Sequence, residues 1–312
     1  MDLLNPYYLQ IITFMLINAI LGISVYLTLA AGQLSLGNAG FMGIGAYTAA
    51  LLTLKLGWPL YVVIPLGGAA AVLVALLIGL PTLRLQGIYL AIATLGFGEV
   101  MRVIFLNLEI TNGALGLSGI PALSVMIGRQ LSQMGFSRVA GLSLQQAGML
   151  AVLILLAFLL VLLVVFALLL RNSRVGRAMA AIKADETAAE ITGINITYYK
   201  LLAFLLGAFV AAVAGGLAAH LTYYIGPKDF AYHRAVEILI FAVLGGSDVV
   251  WGPLIGAFIV TMLPEVLRFA AEYREMIYGV ILVSMMAFRP QGLIGEETIR
   301  FWQAKWGRRA AG

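Results

Sequence analysis

The chain has 312 residues, 62% of them hydrophobic and 11% charged, against about a quarter charged in a soluble domain. With a mean hydropathy of +1.02, that inventory cannot furnish a water-facing surface, which excludes a soluble enzyme or binding domain. Cysteine is absent, which excludes disulfides and thiolate sites; the net charge of +5 sits beside apolar spans, where basic residues meet lipid headgroups, and no basic-aromatic module points to nucleic acid.

No charged residue intervenes between Asp2 and Lys55, and 139–170 is again uncharged. Each stretch exceeds the roughly 20 apolar residues that cross a bilayer core. The first has no basic n-region and outruns a signal-peptide core, so it reads as a membrane helix. Hydropathy predicts spans over 7–30, 38–55, 60–80, 87–106, 145–170, 199–220, 234–246, 251–270 and 276–288. The expected fold is an all-α polytopic bundle of about 8 to 10 segments, a single domain over 1–312. Two segments are doubtful as full crossings, the glycine-rich 32–45 region and the short 234–246 piece. Broken helices survive at membrane depth only where protein or a water-filled cavity satisfies them, so such segments point at a passage.

Lys and Arg concentrate in 171–200 (Arg171, Arg174, Arg177, Lys183, Lys200) and in the tail 289–312 (Arg289, Arg300, Lys305, Arg308, Arg309). Both are placed in the cytoplasm. An even number of segments separates them, so the assignments agree if all cross; the side of the N-terminus stays open. The polar stretch 107–146 then faces outside. Small-residue pairs (Gly252 and Gly256, Ala39 and Gly43, Gly207 and Ala211) allow close helix approach, within the subunit or at a dimer seam. A likeness between LSLGNAGFMGIGAY and VLGGSDVVWGPLIGAF would fit two related halves.

The segment RNSRVGRAMAAIKADETAAEITGINITYYK predicts a short helix over 175–192, with Ala178, Met179, Ile182 and Ala189 near one face and Gly193 as its stop. Too short to cross and too polar to stay in lipid, it is shaped either to dock a cytoplasmic protein or to lie on the headgroups. No GxxxxGK[ST] phosphate loop occurs, and Pro227 separates Gly226 from Lys228. HExxH and GxSxG are likewise missing; His220 reads as an interfacial or packing residue.

RVGRAMAAIKADETAAEITGIN (174–195) resembles the cytoplasmic signature of LivM-type permeases, the branched-chain amino acid subunits of ABC importers. LTLAAGQLSLGNAGFMGIGAY, TNGALGLSGIP from Thr111, and VLGGSDVVWGPLIGA followed by FRPQGLIG extend the resemblance over nearly the whole chain, in order. It implies a bacterial inner-membrane permease that pairs with a related permease or a second copy of itself, two cytoplasmic ATPases and an external substrate-binding protein. This chain would bind no cofactor, with ATP held by the partner subunits. The segment 171–200 would couple to the ATPase through Arg174, Gly176, Arg177, Ala181, Asp185, Glu186, Ala189 and Gly193.

Candidates for the substrate pathway are polar residues at membrane depth or at its mouth: Gln33, Ser35, Asn38, Thr94, Glu99, Thr111 and Asn112. Glu99 and Arg102, three apart, could instead pair, and Gln33 and Asn38 could instead satisfy broken backbone. Glu237 is similarly ambiguous, while Asp248, Glu265 and Arg268 are expected near water. The expected solute is a branched-chain or other neutral amino acid, with urea or a short amide as the alternative. An ion-coupled transporter would ask for more buried acidic residues than Glu99 and Glu237.

Overall fold

The computed structural model describes residues 6–133 and 144–266, with a few positions between 273 and 293. Helix α1 (Pro6–Leu29) ends in an irregular segment over 30–37, where Gly32 takes φ +73, a region glycine enters without penalty. Helix α2 (Asn38–Leu56) follows unbroken, so the glycine-rich stretch interrupts the chain only before this helix. Next come α3 (Leu60–Thr82) and α4 (Ile88–Asn107). The polar segment beyond α4 contributes β1 (Leu117–Ser118), which pairs antiparallel with β2 (Tyr224–Ile225), a two-residue departure from the all-helical expectation. Helix α5 (Leu123–Gln133) lies against α6 (Leu144–Asn172), and Gly148 lets their backbones meet at Ser124.

The helix expected over 175–192 is two helices, α7 (Arg174–Ala184) and α8 (Glu186–Ile191). Asp185 breaks it. Its backbone is extended and its carboxylate accepts the Ala188 N–H at 3.0 Å, since aspartate gains more as an N-cap than inside a helix. The expected stop does fall at Gly193: φ is +84, its N–H reaches Glu190 O and the Ile194 N–H reaches Ala189 O, a glycine-terminated C-cap.

Helix α9 (Ile196–Thr222), capped by Asn195, returns to the far end. Helix α10 (Tyr232–Gly245) has 14 residues, about 21 Å of rise, short of a hydrocarbon core of roughly 30 Å. The chain reaches it by dipping inward. Phe230 is buried beside Tyr47, midway along α2, and the Tyr232 N–H donates at 2.9 Å to Glu99, midway along α4. Of the two doubtful segments, this one is a broken crossing, an irregular entry followed by a short helix. Helix α11 (Trp251–Val266) completes the described bundle. The predicted span 276–288 and the tail lie almost wholly outside the described residues, as does Arg268.

Among the described residues six helices are long and apolar enough to cross a membrane: α1 to α4, α6 and α9. Lys183 of α7 pairs with Asp248, between α10 and α11, and the Leu293 N–H donates to Leu244 O. The basic segment and the chain at 293 therefore share one end of the bundle, as the even number of segments required. Gly32 packs on Lys183 Cα at that same end, so α1 begins at the opposite end.

Helices α1, α2 and α9 form the centre, with α6 at the periphery: 83% of the most apolar window of α1 is buried, against 22% for α6. Lipid gives helices no hydrophobic reason to associate, so close packing must hold them. A Cβ on Gly45 would collide with Ala212 O, and one on Gly215 with Met42 O, which brings α2 and α9 into backbone contact. Gly252 and Gly256 meet Gly246 and Phe241 of the same chain, so this small-residue pair serves an intramolecular seam. Gly43 faces Phe105 and Phe230, and Gly207 faces Ser24 and Thr28.

Two alanine substitutions separate packing from propensity. Gly96 has no neighbour within 4 Å of an added Cβ, so Gly96→Ala is expected to leave stability unchanged or raise it by up to about 1 kcal/mol. Gly45→Ala is expected to lower it by about 1–3 kcal/mol through overpacking. Thermal unfolding in detergent reads both, and equal midpoints would refute the close α2–α9 contact.

Candidate functional site

Besides the Lys183–Asp248 pair, the segment 171–200 is joined to the bundle at three places. Ser173 Oγ caps α7 at Gly176 N (3.1 Å), while a Cβ on Gly176 would strike the carbonyl of Leu170, so α7 folds tightly back on α6. Met179 packs against Ala31 and Ala203, which seats α7 on the 30–37 segment and α9. Lys200 is 5% exposed and pairs with Glu186, whose other oxygen accepts from Gln86 Nε2 at 3.1 Å. That network ties α8 to α9 and to the α3–α4 connection.

The predicted coupling residues divide between anchor and surface. Gly176, Glu186 and the buried Ala189 hold the segment in place, with Ala181 half-buried beside them. Arg174, Arg177, Asp185 and Gly193 are exposed, and Arg177 donates to Asn172 O at 2.8 Å. Ile191, which the sequence pattern did not single out, is 83% exposed on α8.

The predicted pathway residues form two groups. Ser35, Asn38 and Thr94 gather around the 30–37 segment and are all buried. Thr94 Oγ1 accepts Leu36 N at 3.0 Å, Ser35 Oγ accepts Gly37 N at 3.2 Å, and Asn38 Nδ2 donates to Ser24 Oγ at 2.8 Å. These side chains replace the hydrogen bonds the broken helix gives up. Gln33 is buried there too, and neither atom of its amide finds a partner among the described residues. Toward the opposite end, Thr111 Oγ1 accepts no backbone N–H but donates toward Phe105 O and Leu108 O, and Asn112, at φ +61, donates to Gly116 O. Glu99 pairs with Arg102 at 2.7 Å besides receiving Tyr232 N, the structural pairing weighed from the sequence. His220 is fully buried between Thr53 and Gly216 O, a packing residue.

A cavity of about 440 Å³ lies between α1, α2, α9, the 227–230 turn, α10 and α11. Arg234 Nη1 donates to Glu237 at 2.6 Å and Nη2 to Asn18 Oδ1 at 2.6 Å, while Asn18 Nδ2 donates to Thr261 Oγ1 at 2.9 Å. Asp229 and Glu265 also line it. Sequence reasoning named Glu237 as ambiguous, placed Glu265 near water and passed over Arg234, Asn18 and Thr261. The available signal was the Arg234–Glu237 spacing of three at the start of an apolar helix; Asn18 and Thr261 come from other helices and only the fold brings them in. Among the described residues no cluster of three or more His, Asp or Glu is placed to hold a metal ion.

The Lys200–Glu186 attachment gives an ordering of stabilities. Glu186→Leu leaves a buried ammonium unpaired and is expected to cost about 1–3 kcal/mol. Combining it with Lys200→Met is expected to recover most of that loss. A double variant no more stable than Glu186→Leu, by thermal unfolding in detergent, would contradict the pairing.

Over residues 7–286 the chain matches the family described as branched-chain amino acid transport system / permease component. It is 36% identical over 296 residues to the high-affinity branched-chain amino acid transport system permease protein LivM of Escherichia coli (strain K12), covering 91% of this chain and 69% of that one. The LivM of Salmonella typhimurium is 37% identical over 295 residues, with the same coverage. The permease protein LivH of the same Escherichia coli system is 32% identical over 133 residues, 42% of each chain. No solved structure matches. A match of this extent to a permease family, on a bundle in which six of the described helices are long and apolar enough to cross a membrane, shows that this multi-pass membrane protein belongs to the branched-chain amino acid transport system permease family.

Proposed function

We propose that the chain is one permease subunit of an ABC importer in the bacterial inner membrane, carrying branched-chain or other neutral amino acids. A second, related permease completes the passage, an external binding protein delivers the solute, and two cytoplasmic ATPases bind the ATP that drives it. Two permeases of one Escherichia coli transport system both resemble this chain, one over most of its length and one over part. That favours a partner related to this chain over a second identical copy.

The observation that carries the reading is the α7–α8 segment. It is anchored on the membrane helices by Met179, the Glu186–Lys200 pair and the Lys183–Asp248 pair, and it turns Arg174, Arg177, Asp185 and Ile191 outward. A ligand shifts a conformational equilibrium only through different affinities for its states. Work from ATP therefore has to enter through a contact firmly joined to the moving helices, and this segment has both the exposed face and the attachments.

Tagged chain purified in mild detergent is expected to retain two ATPases and a second permease, and the reconstituted complex to import leucine on ATP addition. Ile191→Asp is expected to reduce ATPase retention about tenfold or more, as loss of a central interface anchor does, with the amount in the membrane unchanged. Retention at the wild-type level would sink the coupling assignment. Import of urea in place of leucine would move the substrate to the short amides.

A further inference from the structure

The polar cavity between α1, α10 and α11 has the composition of a binding site for a zwitterion with an aliphatic tail. Its walls are Phe14, Ile17, Met42, Ile225 and Phe230, and its charges are Arg234, Glu237, Asp229 and Glu265. A volume of about 440 Å³ falls within the range of small-molecule sites, which combine apolar walls with a few placed polar groups. It lies toward the bundle end opposite α7: Thr222 at the close of α9 lines it, and so does Ile11 near the start of α1. A solute arriving from outside would meet this end first.

Charges placed among membrane helices are costly and call for a reason. Arg234 and Glu237 are 19% and 20% exposed, and both face the cavity. The guanidinium carries five N–H donors, of which the bonds to Glu237 and Asn18 use two. Its planar fork matches a carboxylate in bidentate fashion. Arg234 and Glu237 thus set opposite charges side by side on one wall, with Asp229 also in the lining, so the cavity offers a partner to a carboxylate and to an ammonium alike. A molecule that carries an ammonium and a carboxylate on one carbon meets both.

We propose that this cavity holds the transported amino acid within the subunit, its α-carboxylate on Arg234, its ammonium on the Glu237 and Asp229 side, and its aliphatic side chain against Phe14, Ile17 and Met42. Arg234 is the specificity-determining residue, and Asn18, held by Thr261, orients its guanidinium. The inference rests on the importer reading above and adds to it a place where the solute pauses between binding protein and cytoplasm.

The test is equilibrium binding of radiolabelled leucine to the complete transporter complex in nanodiscs, without the external binding protein. Saturable leucine binding is expected. Leucinamide, which lacks the carboxylate, and 4-methylpentanoate, which lacks the ammonium, should compete about tenfold or more weakly, the worth of one charge-assisted contact. Arg234→Gln is expected to weaken leucine binding by a similar factor. Ile11→Trp narrows the cavity without touching a charge and is expected to weaken it too, so the outcome does not hang on whether one charge variant assembles. Unchanged binding in both variants would overturn the site, as would the absence of saturable binding to a wild-type complex that imports leucine. A wild-type complex that imports no leucine would instead overturn the importer reading itself.

Discussion

Inside a bilayer a backbone amide or carbonyl that leaves a helix must find its partner within the protein, because lipid supplies none. Among the described residues the chain leaves helical geometry inside the bundle at two places, over 30–37 and on the way into α10. At the first, Thr94 and Ser35 supply the missing acceptors and Asn38 ties the joint to α1. At the second, Glu99 receives the amide of Tyr232 and the Asp229 carboxylate receives that of Gly226. Each interruption is thus bound to helices that run past it. Without α4 beside both, neither could exist at that depth.

The same economy explains the abundance of small residues. Where α2 meets α9 the contact is backbone on backbone, through Gly45, Ala212 and Gly215, and α10 meets α11 through Gly245, Gly252 and Gly256. Contacts this close gain dispersion energy and leave little room to slide. The outer helices, α6 above all, present Leu, Ile and Phe outward instead, as lipid-facing surfaces must. Rigid seams at the centre and a smooth exterior suit a subunit whose motions are those of whole helices.

Much of this was legible in the sequence. Spans followed from hydropathy, the end of α8 from Gly193, and the shared end of the basic segment 171–200 and the chain at 293 from counting. Other features were not, and for physical reasons. The run from Arg174 to Thr192 has a continuous helical pattern, yet Asp185 satisfies its own chain better as a cap than inside a helix. Ser35 and Thr94 stood out as polar groups in apolar spans, but polarity alone does not distinguish lining a passage from mending a helix. The cavity draws on Asn18, Arg234 and Thr261 from three helices, so no local pattern announces it. The family signature singled out the segment 174–195; the attachments through Lys200, Glu186 and Gln86 needed the fold.

Lys183 has a consequence of its own. Its Cα lies against Gly32, in the joint between α1 and α2, and its ammonium holds Asp248, in the joint between α10 and α11. One side chain of α7 therefore touches both hairpins whose glycine-rich sequences resemble each other. A lever fastened at two points cannot drag one without loading the other, so displacement of α7 would reach both hairpins in the same stroke. An exposed ion pair of this kind is worth about 0–1 kcal/mol at rest. It registers α7 against both joints without deciding how firmly either is closed.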